Sequence, residues 1–378
     1  MQQASIWEKE SFFAHQDVII VGSGFTGLWS AFYLKKHHPR LKVLILDRGI
    51  VPYGASSRNA GFACFGSITE LLNDARKMGE EKMLHLVEMR YEGLKCIRKT
   101  FNKKDIEFEK LGGYELITPK QYEKEKQLKN DVGWMNILLR KSLKEEKVFK
   151  IADKKISNFG FANVSHLVEN RLEGQLHSGK LLQQLLQKVQ SLGVSVLPNI
   201  EVNGYEKNNG KVFLHSNLPV TLTSDQLLIC TNAFAKELLP ELNVEPVRGQ
   251  VLVTSPIKKL NFTGTFHYDE GYYYFRNIGD RILLGGARNS DFSAEATNEF
   301  NTTESIQDIL ENFLKENIIP GKKFSIDYRW SGIMGMGKDK MPIVKKVKPN
   351  IFCAVRLSGM GLALTPVVGE NIAKMMTE

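Results

Sequence analysis

Residues 17–49 read DVIIVGSGFTGLWSAFYLKKHHPRLKVLILDRG, with Gly22, Gly24 and Gly27 set between an apolar run and a helix-forming run. DVIIV (17–21) reads as a strand, GFTGLWSAFYLKKHH as a helix that opens on glycines, and KVLILD (42–47) as a second strand. Strands apolar on both faces imply a parallel sheet covered on each side, joined by a right-handed crossover. Each glycine has its own reason: the first permits the tight turn, the second lets a pyrophosphate approach the backbone, and the third lets helix and strand pack closely. Asp47, twenty residues after Gly27, can accept hydrogen bonds from ribose hydroxyls. A dinucleotide is therefore expected, and the pattern leaves NAD and FAD both open. Residues 17–34 are also about long enough to cross a bilayer. The glycines favour a strand running into a helix instead.

The rest of the composition narrows the class. A chain of 378 residues can bury a large core and hold two domains. Cys64, Cys96, Cys230 and Cys353 are far apart with no metal-ligand spacing, so reduced thiols, no metal and a cytoplasmic setting are expected. The N-terminus MQQASIWEKESFF lacks the pattern of a secretory signal. The formal charge of +9 raises nucleic acid or an anionic surface as partners. Interleaved stretches such as KQYEKEKQLKND read instead as solvated helix faces, so no nucleic-acid partner and no membrane span are expected.

Further along, helices are expected over about 69–103 and 120–146, with the strand YELIT between them. HSGKLLQQLLQKVQSLG reads as an amphipathic helix stopped by Gly193, NNG as a hairpin turn, and DQLLICTNAFA as a strand running into small residues. GQVLVT, GYYYFRN and DRILLGGAR read as an antiparallel sheet of a second domain. NIFCAV, RLSGMG and LALTPVVGENIAKMM return to strand, glycine turn and helix. A helix starting after glycines offers free N–H groups to an anion or an electron-rich ring edge. In GASSRNAGFACFGS (54–67), hydroxyls and Arg58 suit a pyrophosphate, although the stretch also reads as an ordinary loop.

Taken in order, VGSGFTGL, LDRG, ASSRNAG, CTNAFA, PVRGQVLVT, YYYFRNIGDRILLGGAR, RWSGIMGMGKDKMPIV and RLSGMGLALTPVVGENIA resemble the D-amino-acid oxidase-like family of FAD-dependent oxidoreductases. The likeness is nearest to the branch of gamma-glutamylputrescine oxidoreductase and glycine oxidase, including Trp7 near the start. It implies an α/β fold: a Rossmann-type, glutathione reductase-like FAD-binding domain (1–80, 150–240 and 325–378) and an α+β substrate domain on an antiparallel sheet (81–149 and 241–324). It implies noncovalent FAD, since SGIMGMGKDK contains no cysteine. Cys64 reads as packing rather than redox chemistry. The reaction implied is oxidation of a C–N bond in an amine or N-substituted amino acid, with hydride passing to flavin N5 and the imine hydrolysing. Oxygen or another acceptor would then take the electrons.

By motif position, the resemblance puts Gly22, Gly24, Phe25, Thr26 and Gly27 on the pyrophosphate, and Asp47 with Arg48 on the adenosine. Ser56, Ser57, Arg58, Asn59, Ala60, Gly61 and Phe62 would line pyrophosphate and flavin. Val202 matches an adenine-contacting position, and Thr231 with Asn232 follow the strand near the ribose. Gly359, Met360, Gly361 and Leu362 would sit at the pyrimidine side of the ring. For substrate, Tyr272, Tyr274 and Arg276 share one strand face and Tyr273 with Phe275 the other, with Met334 an apolar wall. His267 reads as a possible base or as a structural histidine, and Arg248 and Gln250 as flavin-side packing.

Two departures bear on substrate. Where glycine oxidase-like members carry a carboxylate-clamping arginine in the W-x-G motif, RWSGIMG has Met334, and a second arginine position aligns with Gly359. A small free amino acid is therefore disfavoured. Beside the amine oxidoreductase stand an NAD-dependent dehydrogenase, a flavoprotein that binds without turnover, and a tRNA-modifying flavoenzyme.

Overall fold

A computed structural model of the chain describes residues 4–119, 121 and 125–378. The strand Gln16–Val21 lies inside a sheet, paired in parallel with Val43–Leu46 on one side and Leu222–Ile229 on the other. Parallel pairing continues outward to Ser195–Leu197 and to Ile351–Val355. Antiparallel pieces complete it: Ile343–Lys348 at one edge, and the hairpin Val202–Asn208 and Lys211–Ser216 beside Leu222–Ile229. The NNG turn takes left-handed φ values, 49° at Asn209 and 78° at Gly210, which is the turn chemistry a tight hairpin needs.

Alternation explains the double-sided burial. Val18, Ile20, Val43 and Ile45 join one core under the helices, while Ile19, Val21, Leu44 and Leu46 join a second core on the opposite face. A sheet buried on both faces must be apolar at every position. The helix Phe25–His37 is covered by the C-terminal helix Gly361–Thr377, which also meets the long helix Glu80–Thr100. That second contact is backbone to backbone, since a Cβ at Gly93 would lie 1.8 Å from the Ala363 carbonyl oxygen.

The second sheet runs in the order Ile326–Met336, Glu245–Thr254, Arg281–Gly286, Tyr273–Ile278, Thr265–Tyr268, Gly113–Ile117, His166–Asn170 and Phe149–Ile151. The expected antiparallel sheet over 246–290 is thus part of a larger, mixed one, because Thr265–Tyr268 pairs in parallel with Gly113–Ile117. Strands 149–151, 166–170 and 326–336 fall mainly within the ranges expected for the nucleotide part, yet they hydrogen-bond in this second sheet. The long strand 326–336 carries residues from one layer toward the other, which a division by sequence alone does not register.

Helices stand at Ile68–Met78, Glu80–Thr100, Glu125–Leu143 and Ser178–Ser191, close to expectation. The start of the helix expected from 120 lies partly outside the described residues. GASSRNAG is not plain loop, since Ala55–Arg58 forms a helical turn. Trp7 sits on the short helix Ile6–Glu10 and is exposed. Among the described residues, no helix is long and apolar enough to cross a membrane.

Gly93→Ala should destabilise the protein by about 1–3 kcal/mol, the usual range for overpacking. Thermal unfolding checks this, and an unchanged Tm would show that the two helices can separate without loss.

Candidate functional site

Gly22 ends the central strand with φ 107°, and a Cβ at Gly27 would lie 2.0 Å from the Gly22 carbonyl oxygen. Helix and strand therefore meet through glycine only. Asp47 is fixed at the end of the next strand, where its Oδ2 accepts from the Ser23 amide at 2.8 Å and the Ser23 hydroxyl at 2.7 Å. Its Oδ1 accepts from the Gly49 amide at 2.9 Å, which leaves acceptor capacity facing the cavity it lines. Arg48 lies over the Phe234 ring at 4.1 Å and reaches Glu237 at 3.4 Å.

A cavity of about 750 Å³ opens from this turn and runs on to the second sheet. Gly22, Gly24, Phe25, Thr26, Asp47 and Arg48 line it, as do Ser56, Arg58, Asn59, Ala60 and Phe62. Ser56 Oγ accepts from the Phe25 amide at 2.9 Å, so the short 55–58 turn caps the helix that follows the glycines. The Arg58 guanidinium stacks on Tyr53 at 3.9 Å and donates to the Ser331 carbonyl at 2.8 Å. Asn59 is spent on its own loop: its Oδ1 accepts from the Gly61 amide and Ser178 Oγ, and its Nδ2 donates to the Ser56 carbonyl.

Val202, Thr231 and Asn232 line the same cavity, and so do Gly359, Met360, Gly361 and Leu362 from the last turn. Asn232 Oδ1 accepts from the Arg356 and Leu357 amides, which ties the two segments together. The helix Gly361–Thr377 begins at Met360 with no side-chain cap, so its first amides have no side-chain acceptor. Three hydroxyls lining the cavity, Thr231 Oγ1, Ser358 Oγ and Thr365 Oγ1, are buried without a protein partner. Buried polar groups are ordinarily satisfied, so this concentration marks a ligand surface.

Tyr272, Tyr274 and Met334 line the far end. Met334 Sδ would lie 3.4 Å from a Cβ at Gly359, and its Cε 3.2 Å from a Cβ at Gly249, so the two positions singled out for lacking arginine are neighbours. Burial raises the Tyr274 phenol to about 12, which keeps it a hydrogen-bond donor. His267 also lines the cavity. Its Nε2 has no hydrogen-bond partner, and burial brings the ring down to about 4, so it is neutral at pH 7.

Four expected site residues lie elsewhere. Arg276 is off the cavity lining, because its Nη1 donates to the Gly61 and Leu176 carbonyls at 2.8 Å and locks the 59–62 loop from behind. Gly61 is the backbone it holds, and Gly27 serves helix packing. Ser57 is exposed and donates to the Pro52 carbonyl at 2.6 Å. Arg248 and Gln250 also turn away, onto buried Glu295, since strand alternation aims Gly249 and Val251 at the cavity.

Sequence reasoning missed a group of charges at the cavity floor. Lys340 Nζ pairs with Glu70 at 2.8 Å and Asp74 at 2.8 Å, while Arg90 reaches Glu70 at 3.3 Å. Burial opposes ionisation of Glu70, but Lys340 and Arg90 outweigh it and hold the carboxyl at about 2. Behind them, burial lifts Glu115 to about 7 and Glu173 to about 8. The missed signal was the amphipathic helix 68–78, whose acids face inward. Arg288, after the double glycine of DRILLGGAR, was also missed and lines the cavity.

A model of the FAD dependent oxidoreductase family (DAO) matches residues 17–375. The chain belongs to that family. Among curated relatives, a probable oxidoreductase OrdL of Haemophilus influenzae is 24% identical, covering 95% of this chain and 82% of the relative. Gamma-glutamylputrescine oxidoreductase of Escherichia coli is also 24% identical, covering 95% and 83%. The solved glycine oxidase of Geobacillus kaustophilus has the same fold, with TM-score 0.76 at 20% identity over 96% of this chain and 95% of that one. FAD is thus the dinucleotide, and the choice left open by the glycines is resolved against NAD.

The residues of this FAD-dependent oxidoreductase fit that cofactor. The glycine turn gives a cradle too tight for side chains, Asp47 keeps acceptor capacity, and orphan hydroxyls and helix-start amides converge on one cavity.

Glu173 supplies a pH test. Unfolded, its carboxyl loses its proton near 4.5; folded, it keeps it to about 8. The folded state therefore holds the extra proton between these values, and the stability this contributes, full below about pH 4.5, is lost as pH rises to about 8. Glu173→Gln should flatten the fall of unfolding free energy between pH 5 and 8, by up to about 1.4 kcal/mol per pH unit, and with it the fall of Tm. Parallel Tm curves for variant and wild type would show that Glu173 is not linked to folding.

Proposed function

We propose that this FAD-dependent oxidoreductase oxidises a C–N bond of an amine or N-substituted amino acid. The observation that carries this is one continuous cavity joining the nucleotide turn to a chamber walled by Tyr272, Tyr274, Met334 and neutral His267. Bound FAD would supply a two-electron acceptor at flavin N5 for a hydride from the α-carbon, leaving an imine that water hydrolyses.

The chain's own task is to bind, orient and exclude water. Tyr274 is protonated and donates without titrating near neutral pH. His267 is neutral, and a ring held at about 4 is too weak a base to take a proton from an ammonium, so it forms an uncharged polar wall and the amine reacts after arriving in its neutral form. Met334 closes one wall with a flexible thioether. The uncapped helix start at Met360 presents its positive end to the cavity, where it would favour negative charge on a bound group.

The first sheet serves as the Rossmann-type, glutathione reductase-like FAD layer, and the second covers the substrate. Noncovalent FAD is supported by Cys64: burial pushes this cavity-lining thiol up, away from the thiolate needed for attachment. Four free cysteines support a cytoplasmic setting. Oxygen or another acceptor would reoxidise the enzyme.

Two measurements test this reading. Acid precipitation of the purified yellow protein should release all flavin into the supernatant, and flavin retained in the pellet would overturn noncovalent binding. Anaerobic screening of primary amines, secondary amines and N-methyl amino acids should bleach the flavin band with at least one class. Bleaching by none would remove the amine reading.

A further inference from the structure

Arg288 differs from the other buried arginines described here. Arg248 pairs with Glu295 at 2.7 Å, Arg90 with Glu70 at 3.3 Å and Arg356 with Asp339 at 2.7 Å, while Arg276 donates to two carbonyls and Arg58, also stacked on a ring, donates to the Ser331 carbonyl. Arg288 lines the cavity half-buried, and among the described residues it forms no ion pair. Its guanidinium lies over the Tyr272 ring at 4.9 Å and the Phe292 ring at 5.4 Å. Acids on the neighbouring turns are engaged elsewhere: Asp291 Oδ1 accepts from the Ala294 amide at 2.9 Å, Asp269 Oδ2 accepts from Asn289 at 2.7 Å, and Glu270 Oε2 accepts from Asn73 at 2.5 Å.

The backbone holds this arrangement at a cost. Ala287, fully buried, takes φ 61°, a left-handed conformation unfavourable for a residue with a Cβ. Its amide donates to the Tyr272 carbonyl at 2.9 Å, and the short 3-10 turn Arg288–Ser290 follows directly. The strained residue thus fixes the arginine beside the tyrosine it stacks on.

We propose that Arg288 is the anion-recognising residue of the substrate chamber, and that the substrate is an amine bearing a carboxylate. This rests on the amine-oxidising reading above. A guanidinium that is partly desolvated and meets two rings and the Tyr272 hydroxyl still has unused donors among its five, and its planar fork matches a carboxylate. One guanidinium over Tyr272, with the Tyr274 phenol near enough to act on its charge, suits one negative charge better than a phosphate dianion. The methionine at 334 is then not the loss of carboxylate recognition; the cation comes from the end of the Arg281–Gly286 strand instead. Burial pulls the guanidinium below its ordinary range, opposed by the phenols of Tyr272 and Tyr274, as expected of a cation with no acid beside it.

Calorimetric titration of the FAD-loaded protein with propanoate and propanamide, and with benzoate and benzamide, tests this. Wild type should bind the carboxylates and prefer them to the matched amides. Arg288→Gln should weaken carboxylate binding about 10- to 100-fold, the range for a charge-assisted pair, and abolish the preference while amide binding and flavin content stay unchanged. Arg288→Lys should keep part of the preference, because the charge remains without the fork. With a carboxylated substrate, KM should rise far more than kcat falls. Wild type that binds neither carboxylate or shows no preference would overturn the proposal. So would Arg288→Gln that keeps the preference, or variants that lose flavin, which would make Arg288 a cofactor contact. Flavin bleaching by uncharged amines alone, with no carboxylate preference, would sink this inference and leave the amine reading standing.

Discussion

The contact between the Gly22 carbonyl and the α-carbon of Gly27 sets the geometry on which the site depends. With no room for a side chain between them, the helix starts hard against the end of the central strand. That brings the Phe25 amide to Ser56 and the Ser23 amide and hydroxyl to Asp47, so three segments separated in sequence become one wall. The same helix is then covered by Gly361–Thr377, whose start carries the last cavity residues. A change at the glycine contact would displace both ends of the wall at once.

The opposite side of the cavity is organised by charge. Glu70, Asp74, Lys340 and Arg90 neutralise one another, and His267, Glu173 and Glu115 largely avoid charge by burial. Isolated charges in such a place would be costly, which is why the pairing is dense. Within that group the charges largely cancel, whereas Arg288 lines the cavity with no acid paired to it among the described residues. A cation with no acid in contact keeps its attraction for an incoming anion, since no adjacent charge offsets it.

Much of the first layer was legible in sequence because its signals are local. A strand, a glycine turn and a helix lie within thirty residues, and apolar alternation on both faces needs no partner to be recognised. Asp47, Thr231 and Gly359, which line the cavity, followed from motif order. The failures share a cause: each depends on where a distant strand lands. Arg276 shares a strand face with Tyr272 and Tyr274, so alternation alone put it in the chamber. The Gly61 and Leu176 carbonyls, which capture it, come from other segments. The parallel pairing of 265–268 with 113–117 is equally non-local, and so is the pairing of Lys340 with Glu70 across 270 positions. Arg288 was hidden differently, because its importance lies in the partner it lacks, and a sequence does not display absent partners.

Those unmet groups also bear on why the cavity persists. Three buried hydroxyls without protein partners, an uncapped helix start and an unpaired guanidinium each leave hydrogen-bonding capacity unsatisfied. Leaving a buried donor or acceptor unpaired costs about 1–3 kcal/mol, so a fold would ordinarily rearrange to satisfy them. Here the rearrangement is blocked by contacts that have no slack: Gly27 on Gly22, Gly93 on Ala363, and Asn232 tied to the 356–357 backbone. Rigidity keeps the polar groups open, and a ligand that satisfies them binds the folded chain and not the unfolded one. Ligand binding and fold stability are therefore linked by mass action, and the same unsatisfied atoms that weaken the empty protein are the source of its affinity.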